Sequence, residues 1–176
     1  MPPKPLREDP NAALVALHAA VLAPAAVSEA PLVPGLGFHL DPEAAMTGHW
    51  HSPRGRLLEL ETAVTTPGRW LGLHLALALP DLAGICWLGF AARSAAGRGI
   101  AVRVCLRSGL ARGGFQDTFF DKHILSQPGE TDHLDMIAPD RLPDLPPHAP
   151  WREFILFLPP DESLRWALHE LRLFVL

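Results

Sequence analysis

The chain has 176 residues, 48% hydrophobic and 19% charged, with a formal net charge of −4 at pH 7. That composition fits one globular domain able to bury its own core, and it lacks the basic footprint of a nucleic-acid binder. Two cysteines are too few for a disulfide framework, and no apolar run reaches the roughly 18 residues of a membrane span. Nineteen prolines and fourteen glycines demand many turns and short elements, which favours an all-β architecture.

The first predicted element is a helix over residues 10–22. Asp9 can cap it, Pro10 suits its first turn and Pro24 stops it, which puts Leu14, Leu17, His18 and Val21 on one face. The apolar stretch from Ala12 to Val27, preceded by Lys4 and Arg7, also sketches a secretory leader. Glu8 and Asp9 stand where a leader would be basic, so a retained helix and a cytoplasmic chain are expected, with secretion as the alternative. Residues 23–56 are rich in Pro, Gly and Ala and show little periodicity. They are expected to pack as an arm, so that 1–56 covers a β-sandwich domain spanning 57–176.

From Leu57 the pattern changes. Leu58 and Leu60 alternate with Glu59 and Glu61, and a turn follows at Thr66-Pro67-Gly68. Leu71, Leu73, Leu75, Leu77 and Leu79 then occupy every second position, the period of a strand and not of a helix. Residues 85–93 set Cys86, Leu88 and Phe90 against Trp87, Gly89, Ala91 and Arg93. After a loop at 95–99, Ile100, Val102, Val104 and Leu106 alternate with Ala101, Arg103, Cys105 and Arg107. If the aliphatic sets face inward, Cys86 is inside, Cys105 is outside, and the two cannot bridge. Residues 115–135 read as strand fragments and loop, and 140–150, with four prolines, as a long connection. Trp151–Leu158 is apolar on both faces, as a central strand is, and Trp166–Leu176 closes the chain.

This order of strands resembles the galactose-binding-like jelly roll shared by many carbohydrate-binding modules. The likeness rests on Ile85-Cys86-Trp87-Leu88-Gly89-Phe90-Ala91-Ala92-Arg93 before a short turn and Ile100–Val104. It continues with the strand opened by Trp151-Arg152-Glu153 and the closing Glu170–Leu176. His169-Glu170 stands where the closing strand of that family often carries an acidic pair. The resemblance implies an antiparallel β-sandwich, here with a short N-terminal helix, and a non-catalytic module that binds sugar.

The residues themselves offer three kinds of site. His49-Trp50-His51 places two imidazoles on one side of a strand, and Asp117, Asp121, His123, Asp132, His133 and Asp135 form a polar cluster. Neither has the spacing of a zinc or calcium site, so no cofactor is expected and metal binding is left open. No serine has a nucleophile-elbow context, so no reaction is named, although Cys105 between two arginines could have a lowered pKa. The third kind is aromatic. Of Trp50, Trp70, Trp87, Trp151 and Trp166, three are expected in the core, leaving others to stack on sugar rings.

If the strands carrying Trp87 and Arg93 and carrying Arg103 and Arg107 pair, these four project from one face, joined by His74. That face is the expected ligand site for a carbohydrate or another polyhydroxylated or anionic ligand. The alternative is a structural or assembly domain that meets a protein partner or a second copy of itself.

Overall fold

The computed structural model describes residues 9–176; Lys4, Arg7 and Glu8 of the leader-like outline lie outside the described residues. It opens with α1 (Ala12–Ala20). There follow β1 (Ala25–Ala26), β2 (Pro31–Val33), β3 (Leu36–Leu40), β4 (Ala45–His51), β5 (Leu58–Thr66) and β6 (Leu71–Leu77). Then come β7 (Leu88–Ala96), β8 (Ile100–Gly109), β9 (Phe115–Phe119), β10 (Ile124–Ser126) and β11 (Thr131–Ile137). A 3-10 turn (Pro139–Arg141), β12 (Arg152–Leu158) and β13 (Leu164–Val175) complete the chain.

The strands form two antiparallel sheets packed as a sandwich. The first sheet runs β1-β4-β5-β13-β7-β11. The second runs β10-β8-β12-β6-β3-β2, with β9 also pairing β8. The leucine strand is β6, and Leu71, Leu73, Leu75, Leu77 and Leu79 are all buried. They face Leu58, Leu60, Leu88, Phe90, Trp166 and Leu168 of the first sheet in one continuous core. Each such side chain contributes roughly 1.5–3 kcal/mol on burial, so the alternation seen in sequence is also the main source of stability.

Residues 25–51, expected as an arm, instead supply four strands, so the sandwich draws on both sides of residue 56. Their weak periodicity has a physical cause. β1 and β2 are edge strands of two and three residues, and β4 turns Ala45, Thr47 and His49 to solvent while only Trp50 is fully buried. Short, half-exposed strands do not generate a readable repeat.

The helix forms as expected but is held differently. Asp9 accepts bonds from the Asn11 backbone and side chain, while Asn11 is the residue at the cap position. The Asn11 side chain donates to the Leu173 carbonyl and accepts from the Leu173 N–H, so it acts as one rung of ladder on β13. Leu14 and Leu17 are buried, whereas His18 and Val21 face solvent.

The proline-rich connection before β12 is fastened by Arg152. Its buried guanidinium donates to the carbonyls of Leu79 and Pro146 and to the Ser108 hydroxyl. Burial without a carboxylate partner pulls its pKa down to about 10.

Both cysteines are free, but their burial is reversed from the expectation. Cys86 is exposed and Cys105 is buried. Cys86 precedes β7, so strand parity does not apply to it; its N–H donates to the Leu176 carbonyl. Cys105 does point away from the core, but its register neighbours are Phe119 on one side and Ile155 on the other. Burial, not the adjacent arginines, dominates its chemistry and pushes its thiol up to about 12.

Candidate functional site

The expected site divides between two surfaces. β7 pairs with β13 and β11 in the first sheet, while β8 pairs with β12, β9 and β10 in the second. Trp87 and Arg93 therefore lie on the outside of one sheet, and Arg103, Arg107 and His74 on the outside of the other. Alternation tells which side chains avoid the core, but not which sheet a strand joins; that is set by pairing with distant strands. Gly97-Arg98-Gly99 carries the chain across the sandwich instead of closing a hairpin.

On the first sheet, Arg93 donates to Asp132 at 2.8 Å, and Trp87 has the Arg141 guanidinium 5.9 Å from its ring. An open depression of about 240 Å³ lies further along this surface, beside His49, His51, Glu59, Glu61 and Arg165. Its imidazoles pair with the two glutamates, at 3.2 Å for His51–Glu59 and 3.8 Å for His49–Glu61. The second polar cluster is dispersed. Asp117 pairs Arg107, Asp132 pairs Arg93, and Asp135 accepts the backbone N–H groups of Lys122 and Met136. His133 stacks on the core ring of Phe90. Among the described residues, no three His, Cys, Asp or Glu side chains are grouped to hold a metal ion.

The second sheet has the more organised outer face. Its central strand β12 points Trp151, Glu153, Ile155 and Phe157 outward. In register, Glu153 lies between Arg107 and Ala76, Ile155 between Cys105 and His74, and Phe157 between Arg103 and Gly72. β9 adds Phe115, Asp117 and Phe119 beyond β8, and β3 adds His39 beside Gly72.

Three local arrangements order this face. Arg107 makes a bidentate pair with Asp117, at 2.7 and 2.8 Å, and its guanidinium lies 3.8 Å from the centre of the Phe115 ring. Arg103 lies 4.1 Å over Phe119, whose ring is 6.1 Å from that of Phe157. His74 is buried with its Nδ1 3.0 Å from Glu153, while the exposed His39 ring leans against it with centroids 4.3 Å apart. The hydrogen bond from His74 holds Glu153 below the ordinary carboxylate range. His74 Nε2 sits over Gly72 with no hydrogen-bond partner among the described residues. Burial first, and His74 second, lower the pKa of His39.

At one end of the same face lies Trp151, with 43% of its surface exposed. A Cβ placed on Gly109 would fall 2.4 Å from the indole Nε1 and 2.5 Å from Cε2, so the ring lies directly on the glycine. The pyrrole edge of the indole thus packs against the sheet, and much of the ring stays in water. Trp50 and Trp166 are buried, and Trp70 is half-buried. Trp151 is among the five tryptophans from which the sequence leads one to expect stacking rings, without being placed on this face; Phe115, Phe119, Phe157, His39 and Glu153 are not singled out. The signal was present in Trp151–Leu158, whose apolar residues on both faces were assigned to burial alone.

No family profile matches the chain, and no curated protein matches its sequence. Solved structures do match in fold. The CBM22-1 xylan-binding domain of Paenibacillus barcinonensis Xyn10C superposes with a TM-score of 0.53 at 9% identity, covering 88% of this chain and 94% of that one. The N-terminal cellulose-binding domain of Cellulomonas fimi β-1,4-glucanase C gives 0.53 at 12% identity, with 85% and 96% covered. The family 11 carbohydrate-binding module of Clostridium thermocellum, in complex with a β-1,3-1,4-mixed-linked tetrasaccharide, gives 0.51 at 13% identity, with 87% and 96% covered. The fold is thus the jelly-roll sandwich of carbohydrate-binding modules.

Proposed function

We propose that this chain is a non-catalytic carbohydrate-binding module and that its ligand lies across the outer face of the second sheet. The observation that carries this reading is the exposed Trp151 indole, braced against Gly109, on one surface with Phe115, Phe119 and Phe157. A sugar ring has apolar C–H faces and a polar hydroxyl edge. A rigid aromatic platform covers the first at low entropic cost, and fixed polar groups orient the second. Arg103, Arg107, His74 and Glu153 supply those polar groups.

The fold supports the same reading, because the similar structures include a xylan-binding domain, a cellulose-binding domain and an oligosaccharide complex. Fold alone does not fix function, so the argument rests on the face. Trp87 and Arg93, on the opposite surface, take no part in this site.

Affinity electrophoresis of the purified chain through gels containing xylan, mixed-linked β-glucan or an acidic polysaccharide tests the proposal. Retardation in at least one gel is expected. Unchanged mobility in all of them, with a folded protein, would falsify it.

A second reading, protein assembly, is favoured by one observation. Trp87, Leu134 and Met136 are exposed on the first sheet, and Leu176 at the chain end is 70% exposed. Light scattering that gives a dimer mass would support it.

A further inference from the structure

We infer that the ligand face selects a carboxylated polysaccharide, one containing hexuronic acid residues, and that Arg103 is the residue that reads the sugar carboxylate. This rests on the glycan-binding reading above and narrows its ligand class.

The argument follows the charges on the face. Arg107 is closed by a two-point contact with Asp117, and Glu153 is held by His74. Arg103 is exposed in the middle of β8 and has no carboxylate within salt-bridge distance among the described residues. Arg69, Arg93, Arg98 and Arg165, exposed elsewhere, each have one, whereas Arg54, Arg112, Arg141 and Arg172 are exposed without one among the described residues; what sets Arg103 apart is its place in a strand between aromatic rings. Arg103 is therefore the guanidinium of this face that no carboxylate among the described residues engages, while Glu153, outside the Arg107–Asp117 pair, is turned to His74.

Its setting prepares it for a planar anion. The Arg103 guanidinium stacks 4.1 Å over Phe119, and Phe157 is its cross-strand neighbour on the other side. Stacking satisfies the flat face of the group and leaves its N–H edge free. That edge matches the two oxygens of a carboxylate, and the ring removes part of the ordering cost. A uronic acid residue presents a carboxylate at the rim of a ring whose C–H face can lie on an aromatic side chain. Phe119 and Phe157, 6.1 Å apart, supply such surfaces next to the fork.

A neutral polysaccharide would leave this cation without a counter-charge while desolvating it, which is unfavourable. The chain as a whole is acidic, with a formal charge of −4. Attraction of an acidic polymer is therefore local to Arg103 and not a long-range effect of net charge.

The test compares polygalacturonate and glucuronoxylan with the same polymers after chemical reduction of their carboxyl groups. Wild type, Arg103→Gln and Arg103→Lys are run by affinity electrophoresis, with thermal melts to show that each is folded. Wild type is expected to bind at least one native polymer on the order of tenfold more tightly than its reduced form. Arg103→Gln should remove that preference, so that native and reduced polymers bind it equally. Arg103→Lys, which keeps the charge without the fork, should retain only a small part of it. Equal binding of native and reduced polymers by wild type overturns the inference and leaves the glycan-binding reading standing, as does a preference that survives in Arg103→Gln. Binding of neither form of either polymer, nor of any neutral glycan, overturns both.

Discussion

Trp151 and Gly109 form a unit that can be broken in two ways. Trp151→Ala removes the platform. Gly109→Ala keeps the indole but places a Cβ 2.4–2.8 Å from three of its atoms, closer than carbon atoms pack, so the ring must lift or turn. Gly109 does not have a positive φ, so alanine fits its backbone. The size of the effect follows from area. Trp151 keeps 43% of its surface in water. A tryptophan side chain has on the order of 250 Å² to bury, so a ligand on its exposed part covers about 100 Å². At ~25 cal/mol per Å² that is about 2.5 kcal/mol before ordering costs are subtracted. We expect Trp151→Ala to weaken polysaccharide binding by about tenfold, and Gly109→Ala to weaken it in the same direction by a smaller factor. Trp87→Ala, on the other sheet, should bind as wild type. Affinity electrophoresis gives the three dissociation constants, and circular dichroism confirms the fold. Wild-type affinity in both Trp151→Ala and Gly109→Ala, or a loss confined to Trp87→Ala, would refute the placement of the ligand on the second sheet.

Two further predictions concern stability and reactivity. In the native protein, a thiol reagent at pH 8 should label Cys86 quickly and Cys105 only after unfolding, because burial holds the Cys105 thiol at about 12; two equally fast thiols would contradict this. Asp41 is buried and accepts bonds from the Arg69 side chain and backbone and from the Glu43 backbone, and the Arg69 guanidinium above all lowers its pKa. A lowered folded pKa contributes stability that is whole above the unfolded value of about 3.9 and is lost as pH falls through the folded value. Urea midpoints of wild type and Asp41→Asn should therefore differ at pH 6 and converge towards pH 2, whereas a constant gap would count against the assignment.

How much of this was legible in the sequence depended on how local the information was. Leu71 to Leu79 declared a buried strand, because one side chain in two meets the core whatever the neighbouring strands are. The order of strands from Ile85 onward was enough to suggest the jelly roll. Residues 25–51 are not legible as strands, since β1 and β2 are too short to show a period, β3 buries three consecutive residues and β4 buries only Trp50. The closing strand hid a change of phase. Its register shifts between Leu168 and Glu170, so that Leu164, Trp166 and Leu168 face inward and then Leu171 and Leu173 do. A bulge of this kind reads in sequence as apolar residues on both sides.

The site failed and succeeded for one reason. Arg103, Arg107 and His74 share a surface because β8, β12 and β6 are adjacent, with β12 between the other two. β12 lies some fifty residues beyond β8 in the chain, and nothing near Arg103 announces it. The turn after β7 suggests the wrong neighbour, which groups Trp87 with Arg103 and Arg107, whereas the structure sets Trp151 on their sheet. Both tryptophans are exposed to similar extents, at 36% and 43%. What separates them is their surroundings. Trp87 has a lone guanidinium 5.9 Å away, whereas Trp151 lies on Gly109 at the end of a face ordered by two stacked arginines and a His–Glu pair. A platform held rigid before the ligand arrives loses less entropy on binding. Preorganisation of neighbours, and not exposure of an aromatic ring, is therefore the property on which the proposal of the second sheet as the binding surface rests.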